Sequence, residues 1–142
     1  MEIIYKLAKF CKKNKIKFFL SNNIKLALKL NLNGVYISAK NKDIRFNSFN
    51  IKKNFIFLGS AHNLQEVKVK KLQNVKEIFI SPIFKHKGRT PLGIHRCRYF
   101  FEDRSYQKIA LGGINKKNIN LLLLTKFAGL AGINLFKKKG PE

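Results

Sequence analysis

Reactive side chains crowd into one stretch of the chain, Phe55 to Ile94. Ser60 and His62 follow the apolar run Phe55–Leu58, while Lys85, His86, Lys87 and Arg89 follow a second run, Val75–Ile80, and the pair Ser81-Pro82. A hydroxyl can donate to a phosphate oxygen, and an imidazole, with an ordinary pKa of about 6.5, can move a proton near neutral pH. His62 could equally cap or begin the helix that follows. The four basic residues could clamp an anion through charge-assisted hydrogen bonds. In so basic a chain, a solvated charge run is the heavier reading. Two further pairs, Gly112-Gly113 and Ala131-Gly132, close short apolar runs. Small residues at strand ends let backbone N–H groups approach a phosphate, and a following helix N-terminus favours the anion. A tight strand-to-helix turn would use the same residues.

The elements that must position these groups alternate. Helical spacing of Ile3, Ile4, Leu7, Ala8, Phe10 and Cys11 predicts a helix over residues 3–14 that covers a sheet. Ile16–Leu20 reads as a strand, Ser21-Asn22 as an N-cap for a helix over 23–30, Asn33-Gly34 as a turn and Val35–Ile37 as a strand. Residues 38–54 predict a short helix plus loop. A strand at 55–58, a helix at 64–72 and a strand at 77–80 follow, with an irregular loop over 81–92. Then come helix 94–104, strand 107–111, helix 116–123 and strand 129–133. Continuous apolar strands alternating with helices predict a parallel sheet with right-handed crossovers and helices outside. Chemistry in such sheets sits past the carboxyl ends of the strands, where Ser60, His62, Lys85, His86, Lys87, Arg89 and the two small-residue pairs fall. Neither a Gly-rich dinucleotide fingerprint nor a Walker loop occurs. His95 and Cys97 fall on a predicted helix away from that rim and read as structural.

Composition bounds the partners. The 142 residues suffice for a single domain, and 45% hydrophobic content argues against wholesale disorder. Thirty basic against seven acidic residues give a formal net charge of +23, a first sign of a nucleic-acid or anionic surface. The lysines are scattered between apolar segments rather than gathered in a stripe, which favours a general compositional bias over a dedicated nucleic-acid face. Cys11 and Cys97 have no metal-type spacing and imply a reducing, cytoplasmic setting. No run is long enough to span a bilayer, so no membrane partner is expected.

Several blocks, in order, resemble the thiamine phosphate synthase and thiazole tautomerase (TenI-like) family. Phe19-Leu20-Ser21-Asn22 with Asn33-Gly34-Val35-Tyr36 is similar to its third and fourth strand segments, and Gly59-Ser60-Ala61-His62 to its fifth-strand loop. Ser81-Pro82-Ile83-Phe84 with Pro91-Leu92-Gly93 is similar to the sixth. Leu111-Gly112-Gly113-Ile114 and Ala128-Gly129-Leu130-Ala131-Gly132 resemble the phosphate-binding ends of strands seven and eight.

The resemblance implies an α/β fold: a truncated TIM-type (β/α) barrel of about six parallel strands with outer helices, the whole of residues 1–142 forming a single domain equivalent to barrel strands three to eight. It implies His62 as the catalytic residue, with Ser60, Lys87, Gly112, Gly113, Ala131 and Gly132 around a phosphorylated substrate such as thiazole phosphate. Mg²⁺ serves the family, but its two aspartate positions fall here on Asn22 and Asn41, whose neutral amides weaken such a site; no cofactor is therefore expected. Weak or lost synthase activity, a metal-free thiazole phosphate tautomerase using His62, and a nucleic-acid-binding barrel relic all stay open. An open six-strand sheet has two unpaired edges, which an upstream segment, a homodimer or the N-terminal helix would cover.

Overall fold

The structure, a computed structural model, describes residues 2–86, 88–132 and 135. Six strands form one sheet in the order β1 to β6: Phe19–Ser21, Gly34–Ile37, Ile56–Ala61, Glu77–Ile80, Gln107–Leu111 and Gly129–Ala131. All five neighbouring pairs are parallel. Each strand follows its predecessor in sequence, as a right-handed (β/α) progression requires. The sheet does not close, and β1 and β6 are its edges.

The helices are α1 Glu2–Lys13, α2 Ile24–Lys29, α3 Leu64–Leu72 and α4 Gly93–Cys97. The first three end alike. Lys15, Asn31 and Asn74 take left-handed φ values of 55°, 52° and 58°. In each case the next residue's N–H reaches back five positions: Ile16 to the Cys11 carbonyl, Leu32 to Ala27 and Val75 to Lys70. This is the Schellman ending, with an apolar residue just past the turn. Asparagine and lysine hold the position that glycine usually takes, at a modest backbone cost. The repeated ending turns the chain back toward the sheet.

Register divides the sheet into two faces. Val35, Ile37, Phe57, Gly59, Ala61, Ile78, Ile80 and Ala110 share one face, and all are buried. Val67 of α3 and Ile24 of α2 join the same core. Tyr36, Leu58, Phe79, Ile109 and Leu111 share the other face and are only half-buried, with Tyr36 and Phe79 in ring contact at 6.0 Å. That second face would be the lumen of a closed barrel.

Several expected elements shift. The first strand begins at Phe19, because the left-handed turn at Lys15 delays it. Asn23, rather than Ser21-Asn22, caps α2, its Oδ1 accepting from Leu26 N–H at 3.0 Å. Gly34 is a strand residue, not a turn: a Cβ there would lie 2.0 Å from the Ile56 carbonyl oxygen. The helix expected over 94–104 is α4 followed by a 3-10 turn, Arg98–Phe101, whose Phe100 carbonyl is taken by the Tyr106 hydroxyl at 3.1 Å. The segment expected as a helix over 116–123 is a 3-10 helix, Ile119–Leu124. The last strand stops at Ala131, and the end expected for it, Ile133, lies outside the described residues. The short helix expected between 38 and 54 is a 3-10 turn, Arg45–Ser48. Helix α1 buries none of its residues completely, and Ile3 and Phe10 stay 72% and 57% exposed. The cover expected of it is thin.

Candidate functional site

The segments leaving the carboxyl ends of the strands form a rim, and the loop over residues 38–43 after β2 is its best-anchored part. Four side chains from elsewhere hold it. Asn22, just past β1 with φ 54°, accepts from the Ser38 N–H at 3.0 Å and donates to the Ser38 hydroxyl at 3.2 Å. Ser60, 5% exposed on β3, accepts from the Ala39 N–H at 3.0 Å. Lys70 and Gln73 rise from α3, both fully buried. The Lys70 ammonium donates to the Asn41 carbonyl and to Gln73 Oε1, each at 2.7 Å. The Gln73 amide donates to the Asn41 and Asp43 carbonyls at 3.0 and 2.8 Å.

Asn22 and Asn41 meet inside this network, Asn41 Nδ2 donating to Asn22 Oδ1 at 3.2 Å. Asn22 Oδ1 therefore already accepts two hydrogen bonds, and Asn41 Oδ1 accepts a third from the Asp43 N–H at 2.9 Å. The nearby carboxylate of Asp43 is gripped by Arg45 through two nitrogens at 2.9 and 2.8 Å. That guanidinium holds the Asp43 carboxyl down at about 2. Mg²⁺ wants near-octahedral oxygen donors, usually with one or two carboxylates. Two engaged neutral amides and a carboxylate already paired do not suit it. Among the described residues, no cluster of three histidine, cysteine or acidic side chains could hold a metal. A cavity of about 340 Å³ opens beside Asn22, with Lys25, Arg45 and Ser48 among its walls.

His62 lies one residue past β3. Its Nδ1 is 2.7 Å from the Ser81 carbonyl and 3.2 Å from the Ser81 hydroxyl. A carbonyl only accepts, so in the neutral ring Nδ1 carries the proton and Nε2 keeps its lone pair. The helix cap belongs to Asn63, whose Oδ1 accepts from the Glu66 N–H at 2.8 Å. Glu66 returns the contact to the His62 N–H at 2.7 Å, a capping box displaced by one residue. The ring is thus free of capping duty.

Gly112 and Gly113 follow β5 with φ values of 91° and 71°. Both are close-approach glycines. A Cβ on Gly112 would come 2.9 Å from Pro82 Cα, and one on Gly113 would come 2.6 Å from the Phe84 carbonyl oxygen. They let the segment after β4 run alongside, with Ile83 and Phe84 donating to the Leu111 and Gly112 carbonyls at 3.0 and 3.1 Å. Ala131 ends β6 and Gly132 follows it; a Cβ on Gly132 would make only ordinary contact. The loop expected to be irregular contains a tight turn, where His86 and Arg89 form an isolated antiparallel bridge around Gly88 at φ 71°. Lys85 and Arg89 are exposed, His86 is half-buried, and Lys87 lies outside the described residues. Cys97 is completely buried, and burial pushes its thiol up to about 11, in keeping with a structural role. His95 is exposed.

The structure therefore brings Asn22, Asn41 and Ser60 onto one loop network. His62 is bound to the β4 end, and Gly112-Gly113 is packed on the segment after it. Lys70 and Gln73 escaped the sequence reading. Lys70 lies three residues after the core residue Val67, a helical spacing that places it on the inner face of α3. That was the available signal.

The thiamine monophosphate synthase family profile matches residues 1–136. The chain belongs to this family. It is 30% identical to a protein of Aquifex aeolicus provisionally named thiamine-phosphate synthase 2, covering 94% of this chain and 75% of that one. It is also 30% identical to the thiamine-phosphate synthase of Prochlorococcus marinus strain SARG, over 90% of this chain but only 38% of that protein. The thiamine phosphate pyrophosphorylase of Pyrococcus furiosus superimposes with a TM-score of 0.72 at 25% identity, over 94% of this chain and 65% of that one. The chain thus spans between about two fifths and three quarters of these relatives. Its open sheet matches part of their TIM-like fold. No helix among the described residues is long and apolar enough to cross a membrane.

Proposed function

We propose that this thiamine phosphate synthase-like protein binds thiazole phosphate, or a similar small phosphate, at the carboxyl-end rim. The phosphate lies against the backbone at Gly112-Gly113 and Ala131-Gly132, with Ser60 and His62 beside it. One observation carries the reading: Gly112 and Gly113 sit at a strand end with left-handed φ values, a backbone that favours anion contact, in a chain of this family. The pairing of Asn22 with Asn41 supports binding without Mg²⁺ and weak or lost synthase activity in this chain alone. Isothermal titration with thiazole phosphate, inorganic phosphate and diphosphate, with and without Mg²⁺, tests it. Saturable binding of thiazole phosphate that ignores Mg²⁺ is expected. Absence of binding, or coupling of both substrates at ordinary enzyme rates only when Mg²⁺ is added, would refute it.

His62 supports a second reading, a thiazole phosphate tautomerase. With Nδ1 tied to the Ser81 carbonyl, Nε2 is the basic atom left to take a proton and return it elsewhere on the substrate. His62→Asn would then abolish solvent deuterium exchange into the thiazole ring, and unchanged exchange would dismiss the reading.

A further inference from the structure

We propose that Lys70 and Gln73 are positioning residues that fix the rim loop over residues 38–43 from the helix layer, doing from behind what a divalent cation between two carboxylates would do from the front. The inference rests on the phosphate-site reading only for its bearing on ligand binding. The loop geometry stands by itself.

Lys70 is a completely buried lysine. Its aliphatic stem packs where a side chain on Gly59 would otherwise go, since a Cβ there would meet Lys70 Cδ at 2.9 Å. Such a stem could as well be methionine or leucine if filling were its only task. The ammonium is the informative part. A buried charge is retained where its hydrogen bonds are made, and these run to the Asn41 carbonyl and to Gln73 Oε1. Gln73, also fully buried, uses its two amide hydrogens on the Asn41 and Asp43 carbonyls. Three of the four bonds made by this pair thus end on the loop backbone. The fourth joins the pair to each other, and it leaves no buried polar atom of either side chain unpartnered.

The held residue is the one that matters at the rim. Asn41 gives its carbonyl to α3 and its side chain to Asn22. The Asn22 oxygen in turn holds the Ser38 N–H. The four amides of Ser38, Ala39, Asn41 and Asp43 are bonded, respectively, to Asn22 Oδ1, Ser60 Oγ, the Ser38 carbonyl and Asn41 Oδ1. Hydrogen exchange at those amides therefore reads the clamp through the order of the loop it holds.

In the intact chain, 5 mM Mg²⁺ or EDTA should leave their protection unchanged. Lys70→Met and, separately, Gln73→Glu should each speed exchange of all four about tenfold or more, the effect of losing one or two hydrogen bonds. The β3–β4 ladder amides, Phe79 among them, should slow or speed by a smaller factor. Gln73→Glu keeps a partner for the buried ammonium, so it provides a second variant should Lys70→Met fail to fold. Exchange that speeds equally at loop and ladder, or that stays unchanged in both variants, would overturn the proposal; so would loop protection that depends on Mg²⁺ in the parent chain. If the rim binds thiazole phosphate, both variants should also weaken it about tenfold. If the parent binds no thiazole phosphate, the phosphate reading fails and the loop result still stands.

Discussion

Replacing Lys70 with methionine should change how stability depends on pH more than how large it is at pH 7. Burial lowers the Lys70 ammonium from its ordinary 10.5 to about 8, and Glu66 on the same helix pulls only partly the other way. The facing loop adds Asp43, whose carboxylate is committed to Arg45, and Lys40 and Lys42, both exposed. With the folded value below the unfolded one, the unfolded chain binds more protons between pH 8 and 10.5. Stability contributed by this group therefore rises as pH climbs through that window. At roughly 1.4 kcal/mol per unit, the gain by pH 10 is up to about 2.5 kcal/mol. Methionine fills the stem's space without titrating, so the variant lacks that gain. Near pH 7 the relief of desolvation is offset by the orphaned Gln73 Oε1, about 1–3 kcal/mol. Urea denaturation from pH 6.5 to 10 measures both proteins, and the other lysines cancel in the difference. A difference curve that is flat between pH 8 and 10 would refute the claim that Lys70 is a desolvated cation.

Three further outcomes follow from the same geometry. Gly113→Ala forces a Cβ to within 2.6 Å of the Phe84 carbonyl oxygen at a φ of 71°, so it should cost about 1–3 kcal/mol and abolish phosphate binding; titration of a folded Gly113→Ala that still binds would show the glycine is not needed. Ser60→Ala orphans the buried Ala39 N–H and should destabilise by about 1–3 kcal/mol, read by thermal unfolding, whereas a loss under about 0.5 kcal/mol would mean the loop finds another acceptor. Cys97, buried with its thiol pushed up to about 11, should resist a thiol reagent at pH 8 that labels the half-buried Cys11; mass spectrometry should find one adduct on the native chain and two in denaturant, and equal labelling of both thiols would contradict the buried placement.

Strand and helix order was legible in the sequence because the sheet is parallel and one of its faces is sealed. Runs such as Glu77–Ile80 and Gln107–Leu111 have the structural bounds that apolarity and flanking turns imply. The ends of the first three helices fell within one residue of expectation, although Lys15, Asn31 and Asn74 turn left-handed where glycine would have announced the stop. Gly34 read as a turn residue because close approach to the Ile56 carbonyl is a tertiary fact. At the rim, residue types alone marked Ser60, His62 and the glycine pairs as candidates. They could not show that the Ser60 hydroxyl accepts a loop amide, or that Lys70 is an inward lysine among so many outward ones. Both depend on what the loop over 38–43 meets after folding.

The asymmetry between the two sheet faces explains why a clamp on the helix side is physically useful. The lumen face is half-exposed, and β1 and β6 each lack a neighbour on one side. Charges at 4 Å are worth about 1 kcal/mol in water, against about 4 kcal/mol where the effective dielectric is near 20. Ion–carboxylate bonding reached from such an open face would work close to the weaker limit. Lys70 and Gln73 act from the sealed face, where Val35, Ile37, Ile78 and Ile80 exclude water completely and each hydrogen bond is correspondingly stronger. Rim order set from that side does not require the barrel to be closed. The neutral pair Asn22–Asn41 then suffices at the rim, because the Lys70 ammonium holds the same loop from the sealed side.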